Sequence, residues 1–489
     1  MSEPKTRHHD CIVLGAGAVG LSSALHLLEA GLDVLCLDHI NFNNIAASSA
    51  SGAMLGAITE LSFMSFLNDA EENTFIEARR YHDLFKDKLS SLNGKTYDIN
   101  DGIFVVAGTL PLNNDYLEVE HQINICKKYN LNYERVPLPT IPGYNPLLRT
   151  NSEEAVYFPF DGFIDSSEFL TSIKNAVSSF GPKKYSFKCI EVLSVKRDGN
   201  KFIVECNPEE KFSCTNVLFS TGAFSQRLLN DVIHDHKQKF FPLAGRGVSI
   251  QTSKLANLTK CIRTPNRDFA CGLHLVPNKF SSYIGATNRV KLSHDFNNPF
   301  PLVNEVQFLI NSTIDELNKD VKQLHIQNSR VGYRPLFMDR RPMVGNIEDG
   351  VWIANGTYRN GMLLSPLVGK EICDAIVTGT PPRAYWNSNR DCVAEFEHAF
   401  YTENENWVKN VKKEIFYHIS KANESQKEKI KKKFLSIEKY CEFIYDNILL
   451  NNGVDLTDGF LFEARQLFQK APLRENLPNV LNLLLSKEI

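Results

Sequence analysis

No apolar run in this sequence approaches the roughly 18 residues that a membrane-spanning helix needs, so the reading contains no spanning segment. Neither sign of charge is in excess. The 54 Lys and Arg against 57 Asp and Glu leave a net charge of −3, which gives no bulk electrostatic footing for nucleic acid. None of the 11 cysteines falls in a CxxC pattern or alternates with His at metal-ligand spacing, so neither a structural metal nor a disulfide framework is expected. Cys11, Cys36 and Cys373 lie in apolar runs, where cysteine acts as a small hydrophobe. The opening MSEPKTRHHD lacks the apolar core of a secretory signal, and together these absences predict a reducing, cytoplasmic setting. At 489 residues, 43% of them hydrophobic, the chain has the material for two or three packed domains.

The informative stretch is Asp10–Asp38, DCIVLGAGAVGLSSALHLLEAGLDVLCLD. Cys11–Leu14 reads as a buried strand. Gly15, Gly17 and Gly20 follow at GxGxxG spacing. A helical pattern then carries Leu21, Leu25 and Leu28 on one face and stops at Gly31. Val34–Leu37 reads as a second buried strand that ends at Asp38. Gly15 allows a tight turn, Gly17 lets backbone N–H groups approach a pyrophosphate at the helix N-terminus, and Gly20 lets helix and strand pack closely. Asp38 falls at the ribose position, roughly 20 residues after the turn. A βαβ unit whose glycines served only a turn would not account for that acid, so the stretch predicts dinucleotide binding.

Beyond it, Ala46–Gly56 is rich in Ser, Ala and Gly. Small side chains there would let backbone lie against a flat ring or a phosphate, where a bland loop is the other reading. The pattern predicts a helix in Leu61–Leu92, a strand in Asp98–Ala107, a helix over Asn114–Tyr129, a connection at Tyr157–Asp165 and a helix over Ser166–Phe180. Phe187–Lys196 and Lys201–Cys206 alternate around Asp198-Gly199-Asn200 and read as a hairpin. Val217–Ala223 is a buried strand ending at Thr221-Gly222. Gly247–Gln251, His274–Val276 and Tyr283–Ala286 read as strands and Asn304–Leu317 as a helix. Val351–Ala354 is a strand, and the loop from Asn355 leads to a helix Pro366–Val377 with Ser365 as expected N-cap and Gly379 as stop. Past Pro381 the chain reads as mostly helical. Ile430, Phe434, Ile437, Cys441, Ile444 and Ile448 recur at helical spacing beside Lys427, Lys429, Lys431, Lys432 and Lys433, a solvated basic face to which no chemistry is assigned.

The order GAGAVG, SGAMLGA, a Thr-Gly strand, HLVP…IGAT, GYRP…DRRPMVG and YRNGMLLSP resembles the D-amino-acid-oxidase-like FAD oxidoreductases, and within them the glycine oxidases of thiamine biosynthesis. The likeness runs from about Cys11 to Thr378. It implies an α/β fold in which a Rossmann-type FAD-binding domain (1–95, 166–235, 331–380) is interleaved with an α+β substrate domain (96–165, 236–330), and a C-terminal helical extension (381–489) lies outside the resemblance. It also implies non-covalent FAD, because Asn355–Pro366 offers neither Cys nor His for a covalent link. The implied cofactor contacts are Gly15, Gly17, Val19, Gly20, Asp38 and His39 at the dinucleotide, and Ala47, Ser48, Gly52, Ala53 and Met54 along the flavin. Val192 would meet adenine through its backbone, Thr221-Gly222 would face the cofactor, and Arg359, Asn360, Gly361, Met362 and Leu363 would stand at the ring.

The implied chemistry is oxidation of a C–N bond in a small amino acid or amine. A hydride passes from Cα to flavin N5, leaving an imine that water hydrolyses and, with O₂, hydrogen peroxide. A carboxylate handle is best met by an Arg fork. The resemblance puts Arg334 at the substrate carboxylate and Arg359 at the second Arg position, with a structural ion pair as the alternative for either. Arg340 and Arg341 are expected to be surface pairs. His274 stands where the family often has a Tyr. A protonatable His would suit a more acidic substrate, and a polar wall residue is the competing reading. Thr59 and Glu60 fall at the pocket entrance. The expected partners are a small-molecule substrate and O₂ or an electron carrier, with no membrane and no nucleic acid. A homo-oligomer stays open. Three rivals stand beside this reading: a D-amino-acid dehydrogenase serving a carrier, a tRNA-modifying FAD amine oxidase, and a non-catalytic flavoprotein scaffold.

Overall fold

The computed structural model describes residues 7–39, 45–61, 69–93, 96–107, 113–148, 154–207, 210–233, 243–266, 272–291, 299–337 and 339–390, with 427, 428, 430, 431 and 439. The apolar run from Cys11 forms the buried half of the strand His8–Leu14, which lies inside an eight-stranded sheet. Val34–Asp38 and Glu210–Phe219 flank it in parallel register, and Tyr185–Cys189 and Val351–Asn355 extend the parallel order outwards. Met343–Glu348 closes one edge antiparallel to Val351–Asn355. Such a sheet is covered on both faces, which explains runs of apolar residues without polar alternation. Cys11 and Val13 belong to the core under the helices, whereas Ile12 and Leu14 belong to a second core with Val195, Phe202 and Val204 of the hairpin Ser194–Asp198/Lys201–Asn207.

Helix Ala18–Glu29 packs along helix Gly361–Thr378, and Asp69–Asn93 and Ser166–Ser178 pack around them. Gly369 sets the distance between the first pair, since a Cβ there would come within 2.6 Å of the Ser22 backbone. A second, ten-stranded sheet is built round Leu243–Ser253, which pairs along its length with Ile326–Leu336 and, on its other side, with Ser281–Gly285 and Arg289–Lys291. Helix Val303–Glu316 covers this sheet through Leu309. Met54–Leu55 pairs with Glu154–Phe163, so the chain leaves the first sheet for the second soon after the Ser-Ala-Gly stretch.

Three sequence expectations need correction. Tyr157–Asp165 is not a connection, because Glu154–Phe163 is a strand in which Pro159–Asp161 lie at a register shift against Asn100–Val105. The missing N–H of Pro159 therefore costs no ladder bond. The hairpin expected from Phe187 begins only at Ser194, and Tyr185–Cys189 is a separate strand paired with Val34–Asp38. The last helix starts at Gly361, not at Pro366. Pro366 leaves the Met362 carbonyl without its usual helical donor. His82 Nε2 fills that place at 3.0 Å, with Ser365 Oγ at 3.4 Å. The Arg341 guanidinium donates to the Tyr385 carbonyl at 3.0 and 3.2 Å. The helix expected in Leu61–Leu92 is described from Asp69 to Asn93, and nearly all of the C-terminal extension lies outside the described residues.

Candidate active site

Between the two sheets runs a cavity of about 860 Å³ that reaches from the glycine turn to Arg334 and Arg359. At one end its wall is backbone. Gly15 has φ +94°, and a Cβ on it would meet the Ser220 carbonyl oxygen at 2.6 Å. A Cβ on Gly20 would meet the Gly15 carbonyl oxygen, which fixes helix against turn. Gly17 is different. Among the described residues its absent Cβ would have only Ser48 Oγ nearby, at 3.2 Å, and Gly17 lines the cavity. The Ala18 N–H at the helix start is met by Ser48 Oγ at 3.1 Å, a cap from outside the helix. Asp38 accepts from the Ala16 and His39 N–H groups at 3.1 and 2.8 Å. Burial nonetheless raises its carboxyl above the usual range. His39, Val192, Thr221 and Gly222 line this end. The Val192 carbonyl takes a bond from Arg227 at 2.6 Å. A turn without Cβ atoms, a helix N-terminus and an acid beyond the second strand fit a dinucleotide.

Along the middle, Ala47, Ser48, Gly52, Ala53 and Met54 face Asn360, Gly361 and Met362 across the cavity lining. The first helical bond of the last helix is Leu364 N–H to the Asn360 carbonyl at 2.8 Å. The N–H groups of Gly361, Met362 and Leu363 precede it, so they have no acceptor within their own helix and are available to a bound ring. Leu363 and Gly20 do not line the cavity, since the Leu363 side chain is in the core. His82 anchors this turn by reaching the Met362 and Leu363 carbonyls and the Tyr97 hydroxyl. Burial pushes its imidazole down to about 3, so it is neutral.

The far end is made of side chains. Arg334 is half-buried and donates to the Thr287 carbonyl at 3.1 Å and to Asn288 Oδ1 at 3.2 Å. Among the described residues it has no carboxylate partner. Gly247 makes room for it, because a Cβ there would fall 2.2 Å from the guanidinium. Arg359 stands 3.3 Å from Glu60 Oε2, so the ion-pair reading does apply to it. The other oxygen of Glu60 takes a bond from the fully buried Arg263 at 2.5 Å. Burial alone would raise the Glu60 carboxyl, but Arg263 and Arg359 outweigh that and hold it below its ordinary value. Behind it, Asp161 receives the Ile58 and Thr59 N–H groups at 2.9 and 2.8 Å and so pins the turn that carries Glu60.

At His274 the geometry bears on one of the two readings, the protonatable one. Its ring is buried and stacked on Tyr283 at 5.6 Å, with Nδ1 3.1 Å from the Gly272 carbonyl. Burial first, then Arg263 and Arg334, push it down to about 3, so it is neutral and brings no positive charge to the pocket. The sequence reading missed Arg263, Asp161, His82 and Tyr283. Arg263 reaches Glu60 only because Cys261–Arg263 pairs in parallel with Asn100–Val105, a long-range pairing with no local signal. His82 was detectable only as the partner that an interior Pro366 demands.

A family model described as "FAD dependent oxidoreductase" (DAO) matches residues 10–375. A glycine oxidase of Bacillus licheniformis is 24% identical over 387 residues, covering 78% of this chain and 96% of that protein. A glycine oxidase of Geobacillus kaustophilus is 23% identical over 385 residues, covering 76% and 93%. Among solved structures, glycine oxidase from Geobacillus kaustophilus superposes with TM-score 0.66 at 21% identity, over 79% of this chain and 99% of that one. L-proline dehydrogenase from P. horikoshii gives 0.63 at 18%, over 79% and 98%. Iminodiacetate oxidase from Chelativorans sp. gives 0.62 at 17%, over 77% and 98%. The α/β fold is theirs, the cofactor is FAD, and the chain belongs to the DAO family of FAD-dependent amino-acid and amine oxidoreductases.

Proposed function

We propose that this chain oxidises the C–N bond of a small amino acid to an imine, which water hydrolyses, and passes the electrons on to O₂ as a glycine-oxidase-like enzyme. The observation that carries the reading is Arg334, a half-buried guanidinium that lines the cavity without a carboxylate partner among the described residues. An Arg fork left open in a desolvated pocket is suited to a carboxylate brought by the substrate. Arg359 supplies a second cation, partly neutralised by Glu60, and the two together fix where the Cα can lie. Gly15–Val19, Asp38, His39 and Val192 would hold the dinucleotide of FAD. Ala47–Met54 and Asn360–Leu363 would hold its ring. Bound FAD supplies the hydride acceptor. The family relatives named glycine oxidase support this substrate class, and the iminodiacetate oxidase and L-proline dehydrogenase on the same fold set its breadth.

The test is anaerobic bleaching of the flavin by glycine, sarcosine, D-alanine, L-proline and iminodiacetate, followed by admission of air. The reading predicts bleaching by at least one of them and rapid reoxidation. Bleaching with slow reoxidation in air would replace the oxidase by a dehydrogenase serving a carrier. No bleaching by any amino acid, with flavin bound, would end the reading.

A further inference from the structure

Two acceptors in the substrate end of the cavity receive no hydrogen bond from the described residues. Glu60 Oε2 is buried and makes no hydrogen bond among the described residues, where its ion-pair partner Arg359 Nη2 lies 3.3 Å away and Arg263 holds the other oxygen. His274 Nδ1 lies at the Gly272 carbonyl, which can only accept, so Nδ1 carries the proton and Nε2 is a bare acceptor. No hydrogen bond to Nε2 exists among the described residues. Gly285 lets the His274 ring edge lie against its backbone, since a Cβ there would stand 2.5 Å from Nε2. Both side chains line the same cavity as Arg334. A buried acceptor left without a donor is costly, and a ligand N–H is the group that would satisfy it.

We propose that Glu60 Oε2 and His274 Nε2 together hold the nitrogen of the substrate, so that the cavity reads an amino acid whole, with the carboxylate on Arg334 and the N–H groups on this pair. The proposal rests on the amino-acid reading above and names the part of the substrate which that reading left unheld. Glu60 is kept ionised by its two arginines, so it accepts without taking the proton away. His274 is kept neutral by burial beside Arg263 and Arg334, so its Nε2 does not turn into a donor in the working range. A ring that can only accept at Nε2 would not bond a carboxylate, which assigns His274 to the nitrogen end. The favoured class is amino acids with a primary or secondary nitrogen, and a tertiary nitrogen leaves at least one of the two acceptors empty.

The experiment compares the holoenzyme with Glu60→Gln and His274→Phe. The second keeps a flat ring on Tyr283 and leaves the Arg263–Glu60 pair untouched. The amino-acid probe is whichever of glycine, sarcosine, D-alanine, L-proline and iminodiacetate bleaches the wild-type flavin fastest, and its apparent Kd comes from the saturation of that bleaching. The carboxylate-only probe is acetate, titrated through the change in flavin absorbance. In both variants the amino acid should weaken by roughly tenfold or more while acetate binds essentially as before. Acetate weakening in step with the amino acid would mean that Glu60 only positions Arg359, and the proposal falls. Unchanged binding of both probes would overturn it equally. Bleaching of the wild type by none of the five amino acids is a different failure. It removes the parent reading, and the pair with it.

Discussion

At its nucleotide end the cavity is walled mainly by the backbone of one continuous stretch, Gly15–Val19 with Asp38 close behind, joined by Val192 and Thr221-Gly222. At its substrate end it is walled by charged and polar side chains from separate segments: Glu60, His274, Arg334 and Arg359, with Arg263 and Asp161 behind them. The first end needs little more than glycines at fixed spacing and a helix N-terminus, so its function is spelled locally. The second depends on tertiary pairing, because the states of Glu60 and His274 are set by arginines from elsewhere in the chain. The dinucleotide turn is thus a local property of the chain, and the substrate end is a property of the whole fold.

The largest expected effect breaks the local end. Gly17→Val should fold, because among the described residues only Ser48 Oγ lies near the new Cβ, yet it should lose essentially all FAD. Flavin absorbance after desalting, beside an unchanged circular dichroism spectrum, checks it. Acid precipitation of the wild type should in turn leave a colourless pellet and a yellow supernatant, as non-covalent FAD requires.

An intermediate effect probes the helix turn between the two ends. His82→Leu leaves the Met362 and Leu363 carbonyls without their buried donor and should cost about 1–3 kcal/mol, read as a lower thermal midpoint. Pro366→Ala returns an N–H to the Met362 carbonyl, so it should recover part of that loss in the His82→Leu background. An additive double mutant would show that His82 does not stand in for the missing helical donor.

The smallest effect is a pH slope at the base of the substrate end. Burial pushes the Asp161 carboxyl up to about 6, against about 4 for an unfolded chain. Between those values the folded state keeps a proton that the unfolded state has lost, so stability should fall as pH rises from about 4 to about 6. A single proton gives at most about 1.4 kcal/mol per pH unit across that window. Asp161→Asn should flatten this part of the profile in denaturant titrations. A slope that survives the substitution would assign it to another group.

The sequence carried the Rossmann turn, Asp38, the order of most elements and the two arginines, because those rest on spacing and on motifs that stay together. It did not carry the state of the residues at the far end. His274 reads as protonatable until its ring is seen buried beside Arg263 and Arg334. Glu60 reads as an entrance residue until Arg263 arrives through a pairing of strands more than a hundred residues apart. Ser365-Pro366 reads as a helix start because Ser and Pro suit that place, and the interior position is tolerated only through His82.

The central claim is that Arg334 is open to the substrate carboxylate. The direct measurement is anaerobic flavin reduction by the best amino acid and by the amine that lacks its carboxylate, in wild type and Arg334→Ala. The account predicts a rise of roughly 10²-fold or more in the apparent Kd of the amino acid, with FAD still bound and the amine little affected. Equal losses for both substrates, or none for either, would contradict it.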